Sequence, residues 1–397
     1  MGLNVAGALV TDSTVYGKAV SKEKRVQPDL LDVSVSLICA SQSMGGTEQI
    51  VRLLAAGLHE RRANVNLVTI SSSNAQWLST SGVDAKPEPL LESGAGIRKQ
   101  ILGLRNTFRP LRKSVVNIHY PTCDIYRSHI LALRLAGCRR IIVSLHHPNL
   151  EFGHRTAMNR KILGLCERIV VTTRANRDFV ASNGIASDDK ITIVAPGVPD
   201  QTQLDQNVAR EKLDLPKGKF IVGVLCRLEP EKRVREVVEA CRIANAGGDE
   251  VFLVIAGQGT RYDFIRELAT KALGDKFKMV GWVEDANVFY SAIDAYVMLS
   301  ELEGFGLAYA EAALHGVPSI GCRTGGTPDA IEHGVTGFLV DVENPNSAAG
   351  DYLRSWMNSR ETLRKMGDAA RTRALEHFTA SSLLSGYMQL YDKKHNK

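Results

Sequence analysis

Strand-sized apolar runs alternate with helix-period segments along most of this chain, and the pattern is laid down twice. In the first half, residues 33–40, 65–70, 115–119, 141–145, 168–173 and 191–194 read as strands, with helical patterns between them. The first of those helices follows Gly45-Gly46 and carries Ile50, Val51, Leu54 and Leu58 on one face. The second half repeats the plan: strands over 220–226, 251–256 and 277–280, helices over 234–246 and 261–273. Such alternation predicts parallel sheets joined by crossover helices. Between the halves, 198–219 is polar with several prolines and at most one short helix, which suits an interdomain linker and the entry to a second domain. Residues 1–31 are polar and aperiodic and read as a flexible leader.

Composition removes several function classes. A chain of 397 residues with 44% hydrophobic and 23% charged content is an ordinary globular one, long enough for two sizeable cores. No apolar run approaches a membrane span, and the short apolar piece near the N-terminus lacks the basic flank of a signal peptide. Seven cysteines without close pairs argue against a disulfide framework, so reduced buried thiols in the cytoplasm are expected. The formal charge of +6 is modest for this length, and no dense Lys/Arg block points to nucleic acid.

The densest chemistry lies in residues 293–326, IDAYVMLSELEGFGLAYAEAALHGVPSIGCRTGG. An apolar strand over 295–299 runs through an acidic, glycine-bearing loop, 301–306, into a helical pattern over 307–315. Gly316 stops that helix, Pro318 follows, and another short strand begins at Ser319. A strand entering a helix through a Gly-rich turn leaves free N–H groups at the positive end of the helix dipole, a place for phosphate. Glu303 precedes the helix and Glu311 lies within it, so both carboxylates can face one cleft. Neither has a basic neighbour in sequence, so simple ion pairing does not explain them.

EGFGLAYAE, followed by ALHGVPSIGCRTGGTPDAI, resembles the E-x7-E signature of the retaining glycosyltransferases of family 4. Alone an E-x7-E is common; set in EGFG…EA…G-x-P with GG-x-P-(D/E) after it, it is specific. The resemblance spans roughly residues 33 to 375. It implies the GT-B fold, two Rossmann-like domains with parallel sheets facing across a cleft, over 32–197 (acceptor) and 198–376 (nucleotide sugar). Residues 377–397 would then pack back on the first domain.

The resemblance also assigns residues. Arg227 and Lys232, in CRLEPEKR, match the R-x4-K pair that holds the donor diphosphate; without the resemblance they read rather as a solvated helix start, with Glu229, Glu231 and Arg233 pairing among themselves. Gly45, Gly46, Gly306 and Leu307 would approach the same phosphates through backbone. Glu303 and His146 are the implied catalytic residues, with Gly304 and Phe305 beside the donor sugar. His146 ends the strand IIVSLHHP, from which a side chain can point into the cleft; His147 reads as structural or acceptor-side. Glu311 would meet the ribose, while Val283 in VGWVED and Gly257 in GQGTRY line the nucleoside. GQGTRY has Tyr262 near where a dinucleotide fingerprint needs its third glycine, which leaves an NAD reading weak.

Function follows as an expectation: transfer of a sugar, with retention, from a nucleoside diphosphate sugar to an acceptor in the cleft. UDP is expected because it is common in the family. The sequence has no D-x-D, so no metal and no cofactor are expected. A catalytically silent GT-B module, or a GT-B epimerase or phosphorylase, remains the alternative. The acceptor, a glycan, a lipid-linked group or a small molecule, would be read by loops 120–126 and 148–155. The segment 97–113 places Ile97, Ile101, Leu104, Phe108 and Leu111 on one face and six cations around the rest, with Pro110 set to end or kink the helix. It reads as a crossover helix, or as a patch for weak peripheral contact with an anionic membrane surface.

Overall fold

The computed structural model describes residues 33–42, 45–88, 97–147, 156–199, 201–246 and 250–392. The proposed leader and the acceptor loop 148–155 lie outside the described residues.

Seven parallel strands form the first sheet: β1 (Val35–Cys39), β2 (Val65–Thr69), β3 (Ala85–Pro87), β4 (Val115–Tyr120), β5 (Arg140–Leu145), β6 (Arg168–Val171) and β7 (Ile191–Ile193), in the order β3-β2-β1-β4-β5-β6-β7. Six more form the second: β8 (Phe220–Leu225), β9 (Val251–Ala256), β10 (Phe277–Gly281), β11 (Ala295–Met298), β12 (Ser319–Cys322) and β13 (Gly337–Val340), in the order β10-β9-β8-β11-β12-β13. Strand order reverses direction around the first strand of each sheet, which opens a crevice at the carboxyl ends of the strands. The long central strands are buried on both faces, as parallel strands covered by helices must be.

The linker is not free chain. Its helix Gln206–Lys212 is fixed to the second domain by Arg210, which is buried and paired with Asp294 at 2.9 Å while its Nε donates to the Ala292 carbonyl. The chain crosses back at Val198, which bridges Thr379, and continues into the helix Ala380–Tyr391 lying on helix Gly46–Glu60 of the first domain. Contact there is close enough that a Cβ on Gly57 would stand 2.6 Å from Leu384 Cδ2. A buried polar chain pins the crossing. Asn117 Nδ2 donates to Tyr391 Oη at 2.9 Å, Ser144 Oγ donates to Asn117 Oδ1 at 3.0 Å, and Ser144 and Tyr387 share a 2.9 Å hydrogen bond.

The basic segment forms a helix only over Ile97–Phe108; Pro110 sits in a 3-10 turn, Arg109–Lys113, that ends it. Leu104, Phe108 and Leu111 are buried, whereas Ile97 and Leu102 are exposed. The crossover reading therefore holds for the C-terminal half, and the predicted apolar face is incomplete at Ile97. None of the helices among the described residues is long and apolar enough to cross a membrane.

Candidate active site

The loop between β11 and helix Leu307–Leu314 sits at the carboxyl end of the second sheet and faces the first domain. Its shape depends on glycines. Gly306 has φ +83° and a Cβ there would stand 2.5 Å from Tyr309 Cδ2; one on Gly304 would stand 2.6 Å from the His146 carbonyl oxygen across the cleft. Leu307 then reaches over to Gly46, where a Cβ would lie 3.2 Å from Leu307 Cδ1. The two glycine-bearing helix N-termini, at Gly46 and Leu307, thus meet across the domains. In the first turns Gln49 N–H bonds the Gly45 carbonyl and Tyr309 N–H the Gly306 carbonyl, and the buried Glu48 carboxylate accepts from the Gly45 and Glu48 N–H groups.

Lys232 Nζ lies 2.6 Å from Glu303 Oε1, with side-chain exposures of 17% and 10%, so the pair is largely withdrawn from bulk water. The expectation that Glu303 lacks a basic partner is corrected: the fold brings Lys232, 71 residues earlier, against it. Arg227 pairs with Glu231 at 3.1 Å, but its side chain is 68% exposed. Glu229, expected to pair nearby, is held instead by the Thr260 hydroxyl and N–H, which keep its carboxyl below the usual range. Glu311 accepts a hydrogen bond from Tyr290 Oη at 2.9 Å; burial pushes its carboxyl up, and the Tyr290 bond opposes that. It opens into an interdomain pocket of about 290 Å³ shared with Gln49, Arg52 and Trp77 of the first domain and Asp285 and His315 of the second.

Residues 44–202 match the family described as Glycosyltransferase Family 4, and residues 205–373 match Glycosyl transferases group 1. The N-acetyl-alpha-D-glucosaminyl L-malate synthase of Bacillus anthracis is 26% identical over 284 residues, 70% of this chain and 74% of that protein. A GDP-mannose-dependent alpha-mannosyltransferase of Corynebacterium glutamicum is 32% identical over 186 residues, 46% of this chain and 42% of its own. The Anabaena HepE structure in complex with UDP and glucose superposes with a TM-score of 0.75 at 17% identity, over 90% of this chain and 99% of that one, a likeness of fold. The chain is a GT-B glycosyltransferase.

In this glycosyltransferase three expected positions behave differently from their sequence reading. His146 does not project into the cleft. Its Nε2 lies 3.1 Å from His119 Nδ1, the two rings stack at 5.3 Å, and its Nδ1 is buried without a partner among the described residues. Burial alone lowers His146 to about 4, and burial together with the facing His146 lowers His119, so both are neutral at pH 7. What His146 offers the cleft is its carbonyl, which lies beside Gly304 and accepts from Asn176 Nδ2 and Thr172 Oγ1. Phe305 is turned away as well, buried edge-on against Phe378 with ring centroids 5.0 Å apart, an arrangement aromatic pairs favour. Gly257 spends its N–H on the Gly281 carbonyl at 2.7 Å, and its φ of +126° and a 1.9 Å approach of any Cβ to the Cys226 carbonyl explain the glycine by packing.

Val283 is half-buried beside the second domain's core and next to Trp282, which is 71% exposed. A cavity of about 620 Å³ lies on the outer side of the Arg227–Lys232 loop, lined by Leu228, Glu229, Arg233, Arg261 and Glu301 among others, and includes neither Glu303 nor Glu311. Sequence reading missed Arg52. It stands 5.0 Å over Trp77 with its Nε buried and unpartnered among the described residues, and burial lowers its guanidinium. A cation one position after the apolar pair Ile50-Val51 was the only trace of it in the sequence.

Proposed function

We propose that this glycosyltransferase transfers a sugar with retention from a UDP-sugar, without a metal, and that its donor-binding residues lie on the second domain. The observation that carries the reading is the Lys232–Glu303 pair beside the first turn of helix Leu307–Leu314, with Glu311 further along that helix. An ammonium has three donors, so Lys232 can hold Glu303 and a phosphate oxygen together. Arg227, exposed and tied to Glu231 by a surface pair, is free to swing onto the diphosphate. The N–H groups of Gly306-Leu307 and of Gly46 complete its cradle, and Gly45 joins it once its N–H leaves the Glu48 carboxylate.

Glu303, held by Lys232 at 2.6 Å, stands where positive charge develops on the sugar as the bond to the leaving group breaks. The departing phosphate oxygen takes the acceptor proton on the same face of the sugar. Glu311 receives the ribose hydroxyls and Val283 the base. Neutral His146 supports the sugar side through its carbonyl and the Gly304 turn. UDP is supported by the UDP carried by the Anabaena neighbour, and GDP by the name of the Corynebacterium relative. Among the described residues no group of three or more His, Cys, Asp and Glu is placed to hold a metal. Exposed Ile97 and Leu102 among the cations of 97–113 support weak peripheral binding of a cytoplasmic enzyme to an anionic membrane surface. Flotation with anionic vesicles at low salt tests this, and protein left at the bottom rejects it.

Thermal shifts with UDP, GDP and ADP, followed by transfer assays in EDTA with the matching sugars, test the main reading. Stabilisation by UDP and a rate that survives EDTA are expected. A rate abolished by EDTA and restored by Mn²⁺ would remove the metal-free assignment.

A further inference from the structure

The GG-x-P-D stretch at 325–329 is unexplained by donor binding, and its geometry leads across the cleft. Asp329 is 2% exposed, in the second domain, yet both of its carboxylate oxygens are used by one residue of the first. Oδ2 accepts from the Arg174 backbone N–H at 3.0 Å, and Oδ1 from Arg174 Nε at 2.7 Å. Arg174 opens the helix Arg174–Ser182, so the carboxylate sits at a helix N-terminus as well as on a guanidinium. The Asp329 carbonyl is held in turn by Arg373 Nη2 at 3.0 Å, on the helix Arg360–His377 of its own domain.

Both ends of this contact lead directly to the residues assigned to transfer. On the second-domain side, Gly326 N–H donates to the Glu303 carbonyl at 2.8 Å, and a Cβ on Gly325 would stand 2.2 Å from that same oxygen. On the first-domain side, Asn176 lies in the same helical turn as Arg174, and its amide grips the His146 carbonyl at 2.9 Å. Gly326 fills the space between: a Cβ there would stand 2.0 Å from the Gly304 carbonyl and 2.6 Å from Thr173 Cγ2. The chain of contacts runs Glu303, Gly326, Asp329, Arg174, Asn176, His146, without a gap.

We infer that Asp329 and Arg174 form an interdomain latch that positions the Glu303 turn against the His146 carbonyl for transfer. The inference rests on the proposed roles of those two residues. Asp329 and Arg174 are positioning residues: neither needs to touch substrate. The latch has a built-in asymmetry, since the Asp329 side chain is 3% exposed and that of Arg174 48%. Water can reach the arginine, so the pair can part when the cleft opens to admit substrates, and closing withdraws the carboxylate again.

The test uses the full chain and four proteins: wild type, Arg174→Ala, Arg174→Lys and Asp329→Asn. Each is compared by small-angle X-ray scattering with and without UDP, by UDP titration, and by steady-state kinetics with one UDP-sugar. Arg174→Ala is expected to have a larger radius of gyration than wild type, unchanged UDP affinity, and a kcat lower by about ten- to a hundredfold, the range for misplacing reacting groups. Arg174→Lys, which keeps a cation, is expected to recover part of both closure and kcat. If Arg174→Ala does not fold, Asp329→Asn, equal in shape and still an acceptor for the backbone N–H, decides with the same readouts. Folded variants with wild-type scattering and wild-type kcat overturn the latch. Should wild type transfer no sugar at all, the functional reading falls, while scattering by itself still accepts or rejects the latch.

Discussion

The two faces of the cleft follow one strand–helix plan and differ in how they treat charge. On the second domain charged pairs stand at the loop ends, Lys232 on Glu303 and Arg227 on Glu231, with Glu311 inside the following helix under Tyr290, its carboxyl raised by burial. On the first domain several buried polar groups are neutral or shifted toward neutrality, while Arg52 brings a cation to the interdomain pocket. His119 and His146 are depressed by burial, burial pushes the Glu48 carboxyl up, and Asn117, Ser144, Tyr387 and Tyr391 satisfy one another. A charged face suits a diphosphate, whose charge must be met by fixed donors. The two halves share one strand–helix plan and differ at the loop ends, where the second domain's charged pairs stand.

The largest expected effect that can break this comparison is at Lys232. Removing one partner of a largely buried pair strands the other charge, at about 3–5 kcal/mol. Lys232→Ala should therefore lose stability in denaturant titration and lose UDP affinity together. A variant as stable as wild type would mean that Glu303 is solvated and that the second-domain face is not organised around charge.

The neutral face predicts a pH signature of the opposite kind. His146 falls from 6.5 to about 4 on folding, so its contribution is fully present above pH 6.5 and is lost as pH drops through about 4. The raised carboxyls of Glu48 and Glu311 act with the other sign, since folding favours their protonated forms, and they partly mask it. The quantity to follow is the difference in stability between wild type and His146→Gln. That difference should shrink by on the order of 3 kcal/mol between pH 7 and pH 4. A constant difference would show that the His119–His146 pair does not titrate with folding.

Arg227 sharpens the contrast at the smallest scale. Its pair with Glu231 is exposed, and such pairs contribute ~0–1 kcal/mol to stability. Arg227→Ala should leave the denaturation midpoint nearly unmoved and weaken UDP by ~1.5–3 kcal/mol, the value of a hydrogen bond to a charged group. Unchanged UDP affinity, by calorimetric titration, would release Arg227 from the diphosphate site.

The fold was legible because period and burial agree. Ile50, Val51, Leu54 and Leu58 share a helical face and all are buried, and the runs at 220–226 and 251–256 become β8 and β9 with ends shifted by a residue or none. The stretch 293–326 divided into strand, turn, helix and strand as its glycines and Pro318 indicate. Side-chain direction and long-range pairing were not legible. His146 and Phe305 carry functional-looking positions, yet burial turns the first toward His119 and the second toward Phe378. Lys232 and Glu303, or Arg174 and Asp329, meet only because sheet order brings distant loop ends together, and local sequence contains no trace of either pairing. Short edge strands such as Ala85–Pro87 fail for a different reason: three residues cannot display a period.

The central claim is that Glu303 and Glu311 divide the work of one donor site, and steady-state kinetics of Glu303→Gln and Glu311→Gln with a single nucleotide sugar and saturating acceptor tests it most directly. A ribose contact is equal in ground and transition states, so Glu311→Gln should mainly raise the donor KM. A contact to the reacting sugar changes as the bond breaks, so Glu303→Gln should mainly lower kcat, about ten- to a hundredfold. Wild-type kcat and KM in both variants would contradict the account.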